Sequence, residues 1–80
     1  MIQINIKLKE GSLDNYQQFT GIDINGLEII GYIKWLRWIK MIEIEPDKPF
    51  VINGTEMPRL AKIEEDLSSK GIRRYKLRLI

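Results

Sequence analysis

The sequence contains no cysteine and no histidine among its 80 residues. Without cysteine, the chain has no disulfide, no thiolate metal site and no cysteine nucleophile. Without histidine, it lacks imidazole ligands, the usual near-neutral general base and the partner that a serine triad requires. We therefore expect a protein that is not an enzyme and that holds no cofactor, no metal ion and no small-molecule substrate.

The chain is also short, and its net charge is small. Hydrophobic residues make up 44% of the sequence, which is enough for a core, so residues 1–80 are expected to form one globular domain. A domain of this length buries only roughly 60% of the surface of its unfolded chain. Its stability margin is therefore thin, and self-association or a docked partner would widen it. The net charge of +2 is too mild to indicate nucleic acid by itself.

Long apolar runs are lacking too. No stretch of the sequence reaches the length of about 18 uncharged residues that a membrane span requires. Met1 leads directly into an alternating pattern and not into the apolar stretch of a signal peptide. We therefore expect a cytoplasmic protein, and a membrane surface is the weakest of the candidate partners.

Two stretches alternate apolar and polar residues, which predicts strands with one buried and one solvent-exposed face. They are residues 2–9 and residues 72–80. Between them, Asn25-Gly26 is flanked by apolar residues and predicts a hairpin with a type I′ turn, in which both central residues have a positive φ. Residues 12–20 fit either a short helix or a loop.

The segment 29–42 is the hardest to assign, because its polar residues fall at every third position. This period fits neither a strand nor a helix. The many β-branched and aromatic residues favour strand structure with a bend near Gly31, and a helix is the alternative. Residues 41–45 alternate cleanly and are followed by a turn with two prolines, so a hairpin of 41–45 with 50–52 is predicted.

A helix is predicted over residues 56–69. Leu60, Ile63 and Leu67 form one apolar stripe at helical spacing, and Pro58 would lie in the first turn, where its missing N–H costs nothing. The fold class that follows is α+β: a small mixed or antiparallel sheet of about four to five strands with this one main helix packed on one face.

The aromatic residues of the segment 29–42 suggest how such a domain functions. Trp, Tyr and Arg are enriched at the energetic centres of protein interfaces, and so much aromatic and isoleucine surface is difficult to bury in a small monomer. We expect a non-enzymatic accessory or regulatory protein that acts through protein–protein contacts and self-associates. Two alternatives for the segment are core packing and a cationic helix on a membrane surface. The predicted contact residues are Tyr32, Trp35, Arg37 and Trp38.

A nucleic-acid-binding domain is the alternative function. The polar faces of the first and last predicted strands carry cations, and one sheet would bring them together on an open face. Cations that track phosphates, beside aromatic side chains that stack on bases, are typical of sheets that bind single strands. The competing interpretation is an ordinary solvated face whose basic residues protect a sheet edge. The candidate residues are Lys7, Lys9, Arg74, Lys76 and Arg78.

Overall fold

Strands form the regular secondary structure of this protein in the computed structural model, which describes residues 2–9, 13, 16–23, 25–49, 51–52, 55–56 and 59–80. No helix occurs in these ranges. The strands in chain order are β1 (Ile2–Leu8), β2 (Gln17–Asp23), β3 (Glu28–Leu36), β4 (Met41–Pro46), β5 (Val51–Ile52), β6 (Thr55–Glu56), β7 (Leu60–Asp66) and β8 (Arg74–Leu79).

Six of the strands close into an antiparallel barrel in the order β1-β2-β3-β4-β7-β8. Closure is made by β8 and β1, which pair over the whole length from Ile2 opposite Leu79 to Lys7 opposite Arg74. Among the described residues, the seam between β4 and β7 is the shortest: Ile42 lies opposite Ala61 and Glu43 opposite Leu60, and the N–H of Ile44 donates to the carbonyl oxygen of Arg59 at 2.7 Å. β5 and β6 form a small separate hairpin in the connection between β4 and β7.

The core fills the inside of the barrel, as is usual for a barrel this narrow. Every strand of the barrel contributes alternate side chains to it, so the period of two that marks β1 and β8 in the sequence is the inside–outside alternation. Phe19, Ile33 and Leu77 are among the largest side chains that are completely buried. Among the described residues, one contiguous cluster of buried side chains consists of Ile4, Ile6, Leu8, Phe19, Ile29, Ile33, Ile42, Ile44, Ala61, Tyr75, Leu77 and Leu79, and Leu36 is buried as well.

The turn between β2 and β3 lies at Asn25-Gly26, although its type differs from the prediction. Gly26 has a φ of 83°, and its N–H donates to the carbonyl oxygen of Asp23 at 3.1 Å. Because Gly26 donates to Asp23, Gly26 is the last residue of this hydrogen-bonded turn and not one of its two central residues, so the turn is not the predicted type I′ turn centred on Asn25-Gly26. The buried Asp23 stabilises it, because its carboxylate accepts from the N–H groups of Asn25 at 2.9 Å and Leu27 at 2.8 Å.

The predicted fold class, α+β with a helix over 56–69, is wrong: the fold is all-β, and residues 60–66 form strand β7. Two features explain the error. The sheet closes on itself, so no open apolar face is left for a helix to cover. β7 also contains a β-bulge between Ile63 and Glu65, and the inward residue before it is the small Ala61. Because of the bulge and the small Ala61, the sequence of β7 does not show the period of two that identifies a strand. The predicted first-turn residue, Pro58, lies outside the described residues.

Two further assignments are corrected. The hairpin of 41–45 with 50–52 does not form, because β3 occupies one edge of β4 and β7 the other, while Val51–Ile52 pairs with Thr55–Glu56. The short helix within 12–20 is absent from 16–20, where β2 begins at Gln17. Residue 12, where that helix would begin, lies outside the described residues.

The segment 29–42 is strand, turn and strand in succession. β3 continues to Leu36, four residues form the turn, and β4 begins at Met41. The turn ends at Lys40, whose φ of 53° is the one positive value among the described residues other than glycine. Of the positions in the three-residue period, Glu28 and Lys34 lie on the outer face of β3, Gly31 is buried in that strand, and Arg37 and Lys40 lie in the exposed turn.

Candidate functional site

The outer face of the barrel holds the candidate site, because the inner face is filled by the core. In the described part of the chain, no group of three or more acidic side chains is arranged to hold a metal ion. The outer face carries three groups of side chains that could bind a partner: cations, aromatic side chains and exposed aliphatic side chains.

The five cations of the nucleic-acid alternative lie on two adjacent strands. Lys7 on β1 is directly opposite Arg74 on β8, and Lys9 follows β1 on the same side of the strand. Lys76 is opposite Asn5, and Arg78 is opposite Gln3. Barrel closure therefore brings together residues from the two ends of the sequence.

Carboxylates on β7 divide this basic surface into two parts. Glu65 is opposite Lys76, and Glu64 accepts a hydrogen bond of 2.9 Å from the side-chain amide of Gln3. These acids lower the positive potential near Lys76. The positive charge is therefore concentrated at the other end of the two strands. We call the residues there, Lys7, Lys9 and Arg74, the basic cluster.

The four predicted contact residues point in different directions. Trp35 is half-buried and packs against the core. Tyr32 lies on the outer face of β3, whereas Arg37 and Trp38 are in the turn that follows it. Trp38 is 74% exposed, the largest exposure among the hydrophobic side chains described. The structure therefore places Trp38 at the tip of a hairpin and Trp35 in the barrel wall.

A pair of tyrosines was missed by the sequence reasoning. The rings of Tyr16 and Tyr32 stack in parallel, with centroids 5.0 Å apart and an angle of 2° between their planes. The Tyr16 hydroxyl donates to a carboxylate oxygen of Glu45 on the next strand, and this hydrogen bond is the main reason that the pKa of Tyr16 rises to about 12. The two residues are far apart in the sequence, so only the β2–β3 register could have indicated the pair.

A group of exposed aliphatic side chains was also missed. Ile22 and Ile30 occupy neighbouring positions on the outer faces of β2 and β3, and they are 43% and 55% exposed. Leu27 and Val51, at 48% and 47% exposed, line the same end of the sheet. We call these four residues the aliphatic patch. One signal was present in the sequence: Ile29 and Ile30 are adjacent in a strand, so one of them must face outward.

The aliphatic patch lies beside a groove of about 530 Å³. Leu27, Ile30, Pro49 and Val51 are among the residues that line it, together with Asp47 and Lys48. A second groove, of about 350 Å³, connects the patch to the basic cluster across the outer face of β2. The aliphatic patch and the basic cluster are therefore adjacent surfaces.

No protein-family model, no curated protein and no solved structure matches this chain. Across the ranges that the structure describes, no helix is long and apolar enough to cross a membrane. The function must therefore be inferred from the chain's own surface.

Proposed function

We propose that this chain is a non-enzymatic accessory or regulatory protein that acts through protein–protein contacts, and that it self-associates through the aliphatic patch. The observation that carries the proposal is the exposure of Ile22, Leu27, Ile30 and Val51 together on one side of a barrel whose interior is already filled. We also propose a cytoplasmic location.

Burial of the aliphatic patch is the driving force of the proposed contact. Each Å² of apolar surface removed from water contributes about 25 cal/mol, and side chains such as Ile30 have about half of their surface still exposed. Polar groups border the patch: Glu28, Asp47 and Lys48 line the groove beside it. An apolar centre with a polar rim is the usual anatomy of a protein interface.

A second copy of the chain suits this surface because its charges are self-complementary. Lys7 and Arg74 lie on the β1–β8 side of the patch, whereas Glu28 on β3 is directly opposite Ile22 and Asp47 follows β4. Within one copy, Glu28 lines a groove with Lys7 and Arg74, and Asp47 lines another with Lys7. A two-fold axis parallel to the strands would place the bases of one copy opposite the acids of the other. Closed two-fold dimers are the commonest assemblies of soluble proteins, and they require this kind of self-complementary surface.

The test is the oligomeric state of the full chain in solution. Sedimentation equilibrium is expected to show a dimer for the unmodified protein and a monomer for Ile30→Lys, because the lysine would place a charge at the centre of the interface. Leu67→Lys is the matched control: Leu67 is 43% exposed in the connection between β7 and β8, so this variant should remain a dimer. Circular dichroism checks that all variants are folded.

Two outcomes would count against the proposal. A monomer at the highest soluble concentration of the unmodified chain would remove self-association. A dimer that persists in Ile30→Lys but is lost in Trp38→Ala would move the contact from the aliphatic patch to the tip of the β3–β4 hairpin.

A further inference from the structure

The basic cluster and the stacked tyrosines lie on neighbouring strands at the same end of the barrel. Lys7 and Arg74 are paired residues on adjacent strands, which places their Cβ atoms about 5 Å apart. Lys9 is two residues further along the same side of the chain, about 7 Å away. Three cations at these spacings can contact neighbouring phosphates of one extended strand.

The tyrosine pair provides a flat apolar surface beyond the cations. Tyr16 covers one face of Tyr32 and is itself 53% exposed. The hydrogen bond from its hydroxyl to Glu45 fixes the direction of the ring. A base that stacks on Tyr16 would therefore meet a ring that is already held in position, which reduces the entropy lost on binding.

Polar side chains of β2 connect the two features. Thr20 is directly opposite Lys7, and Gln18 is directly opposite Tyr32. Both are exposed, and both line the groove of about 350 Å³ together with Lys7 and Lys9. The path from the basic cluster to the tyrosines thus crosses the uncharged side chains of Thr20 and Gln18, while the carboxylate of Asp47 lies at the β3–β4 side of the same groove and favours a phosphate path on the Lys7–Lys9 side.

We propose that this surface binds single-stranded nucleic acid, with phosphates on Lys7, Lys9 and Arg74 and a base stacked on Tyr16. The acids of β4 fix the orientation: Glu43 and Glu45 lie beyond the tyrosines and repel phosphates there, so the backbone must follow the β1–β8 side. A duplex fits less well, because its base faces are covered by stacking and only a single strand exposes one for Tyr16.

This site goes beyond the proposed self-association. Its stacking residue, Tyr16, is not part of the aliphatic patch, but it shares Lys7 and Arg74 with the proposed dimer contact. A second copy and the nucleic acid would therefore compete for these two cations, and added oligonucleotide should shift the sedimentation profile toward the monomer. An acidic protein segment is the competing ligand, since it would also bind the three cations. Its carboxylates would not stack on the ring of Tyr16, so binding of such a segment would not depend on Tyr16.

The experiment measures the binding of the full chain to a fluorescently labelled oligothymidine and to an oligouridine by anisotropy, with an unlabelled duplex and polyglutamate as competitors. We expect the logarithm of the association constant to fall with the logarithm of salt concentration with a slope of about −2, as three phosphate contacts predict for a single strand. Lys7→Gln and Arg74→Gln should each reduce the slope by about 0.7. Lys62→Gln, on the outer face of β7, is the charge-matched control and should leave the slope unchanged.

The aromatic contribution is tested separately. Tyr16→Ala should weaken binding about 5- to 150-fold at constant salt, which is the usual range for the loss of one base–aromatic stack. Tyr16→Phe keeps the ring but loses the hydrogen bond to Glu45, so it should weaken binding by less than Tyr16→Ala does.

Three results would overturn the proposal. They are no binding of either oligonucleotide at low salt, preference for the duplex, and equal competition by polyglutamate together with no effect of Tyr16→Ala. The last result would assign the cations to an acidic protein partner. Because sedimentation reports the dimer independently, failure of this site would leave the proposed self-association unaffected.

Discussion

Replacing Gly31 with alanine is the sharpest test of the barrel wall. Gly31 is buried in β3, where it is paired with Phe19 on one side and Pro46 on the other. A Cβ atom at this position would lie 2.2 Å from the carbonyl oxygen of Glu45 and 2.7 Å from Cα of Pro46. Both atoms belong to the backbone of β4, so no side-chain rotation can relieve the overlap.

The size of the effect follows from these distances. Non-bonded carbon atoms prefer separations of about 3.5 to 4.0 Å, so β4 would have to move away from β3 by about 1 Å. Overpacking of this kind costs about 1–3 kcal/mol or more, and the stiffer unfolded chain of the alanine variant offsets only about 0.4–1 kcal/mol. We expect a net loss of about 2 kcal/mol in the free energy of unfolding, which corresponds to a drop of roughly 8–16 °C in Tm for a domain of this size.

Gly21→Ala is the matched control, because it makes the same change in another buried glycine of the barrel. Its added Cβ would meet Cγ2 of Ile6 at 3.2 Å and Cε2 of Phe19 at 3.3 Å. These are side-chain atoms that can yield by a few tenths of an ångström, so the cost should stay below about 1 kcal/mol.

Urea titration followed by tryptophan fluorescence measures both variants, since Trp35 packs against the core and reports its unfolding. The reasoning is refuted if Gly31→Ala is as stable as the unmodified protein, or if the two alanine variants lose the same stability. Either result would mean that β3 and β4 do not approach each other as closely as the structure shows.

Two further predictions concern the turn and the tyrosine pair. Asp23→Ala should lower the free energy of unfolding by about 1–3 kcal/mol, because the N–H groups of Asn25 and Leu27 lose their acceptor, whereas Asp23→Asn should retain most of it; urea titration of both variants decides this. The pKa of Tyr16 is raised from 10.0 to about 12, so the contribution of its hydrogen bond is complete below pH 10 and is lost as the pH rises toward 12. Phenolate absorbance should show this late titration, and Glu45→Gln should return the pKa toward 10; an unchanged titration in that variant would show that Glu45 is not the cause.

The first and last strands of the chain were predictable from the sequence, because β1 and β8 alternate regularly between an inner and an outer side chain. The position of the β2–β3 turn was predictable as well, since glycine is favoured where φ is positive. Its type was not, because the carboxylate of Asp23 holds the turn and the sequence does not show that this group is buried there.

The strand β7 could not be identified locally. Leu60, Ile63 and Leu67 have a helical spacing, and an isolated segment with this pattern would favour a helix. In the barrel, Ala61 is completely buried against Ile42 and Leu79, and the bulge after Ile63 shifts the alternation. The pairing partners of β7 overrode the local preference, as commonly happens in sheets.

The sequence by itself determined which chemistry is excluded, through the lack of cysteine and histidine, and which residues of β1 and β8 face inward. Only the tertiary structure decided which outward residues are neighbours. Closure sets Lys7 against Arg74, the β2–β3 register stacks Tyr16 on Tyr32, and the filled interior leaves Ile30 outside. The physical reason is that these contacts join strands through hydrogen-bond registers, and a register is fixed only when the whole barrel closes.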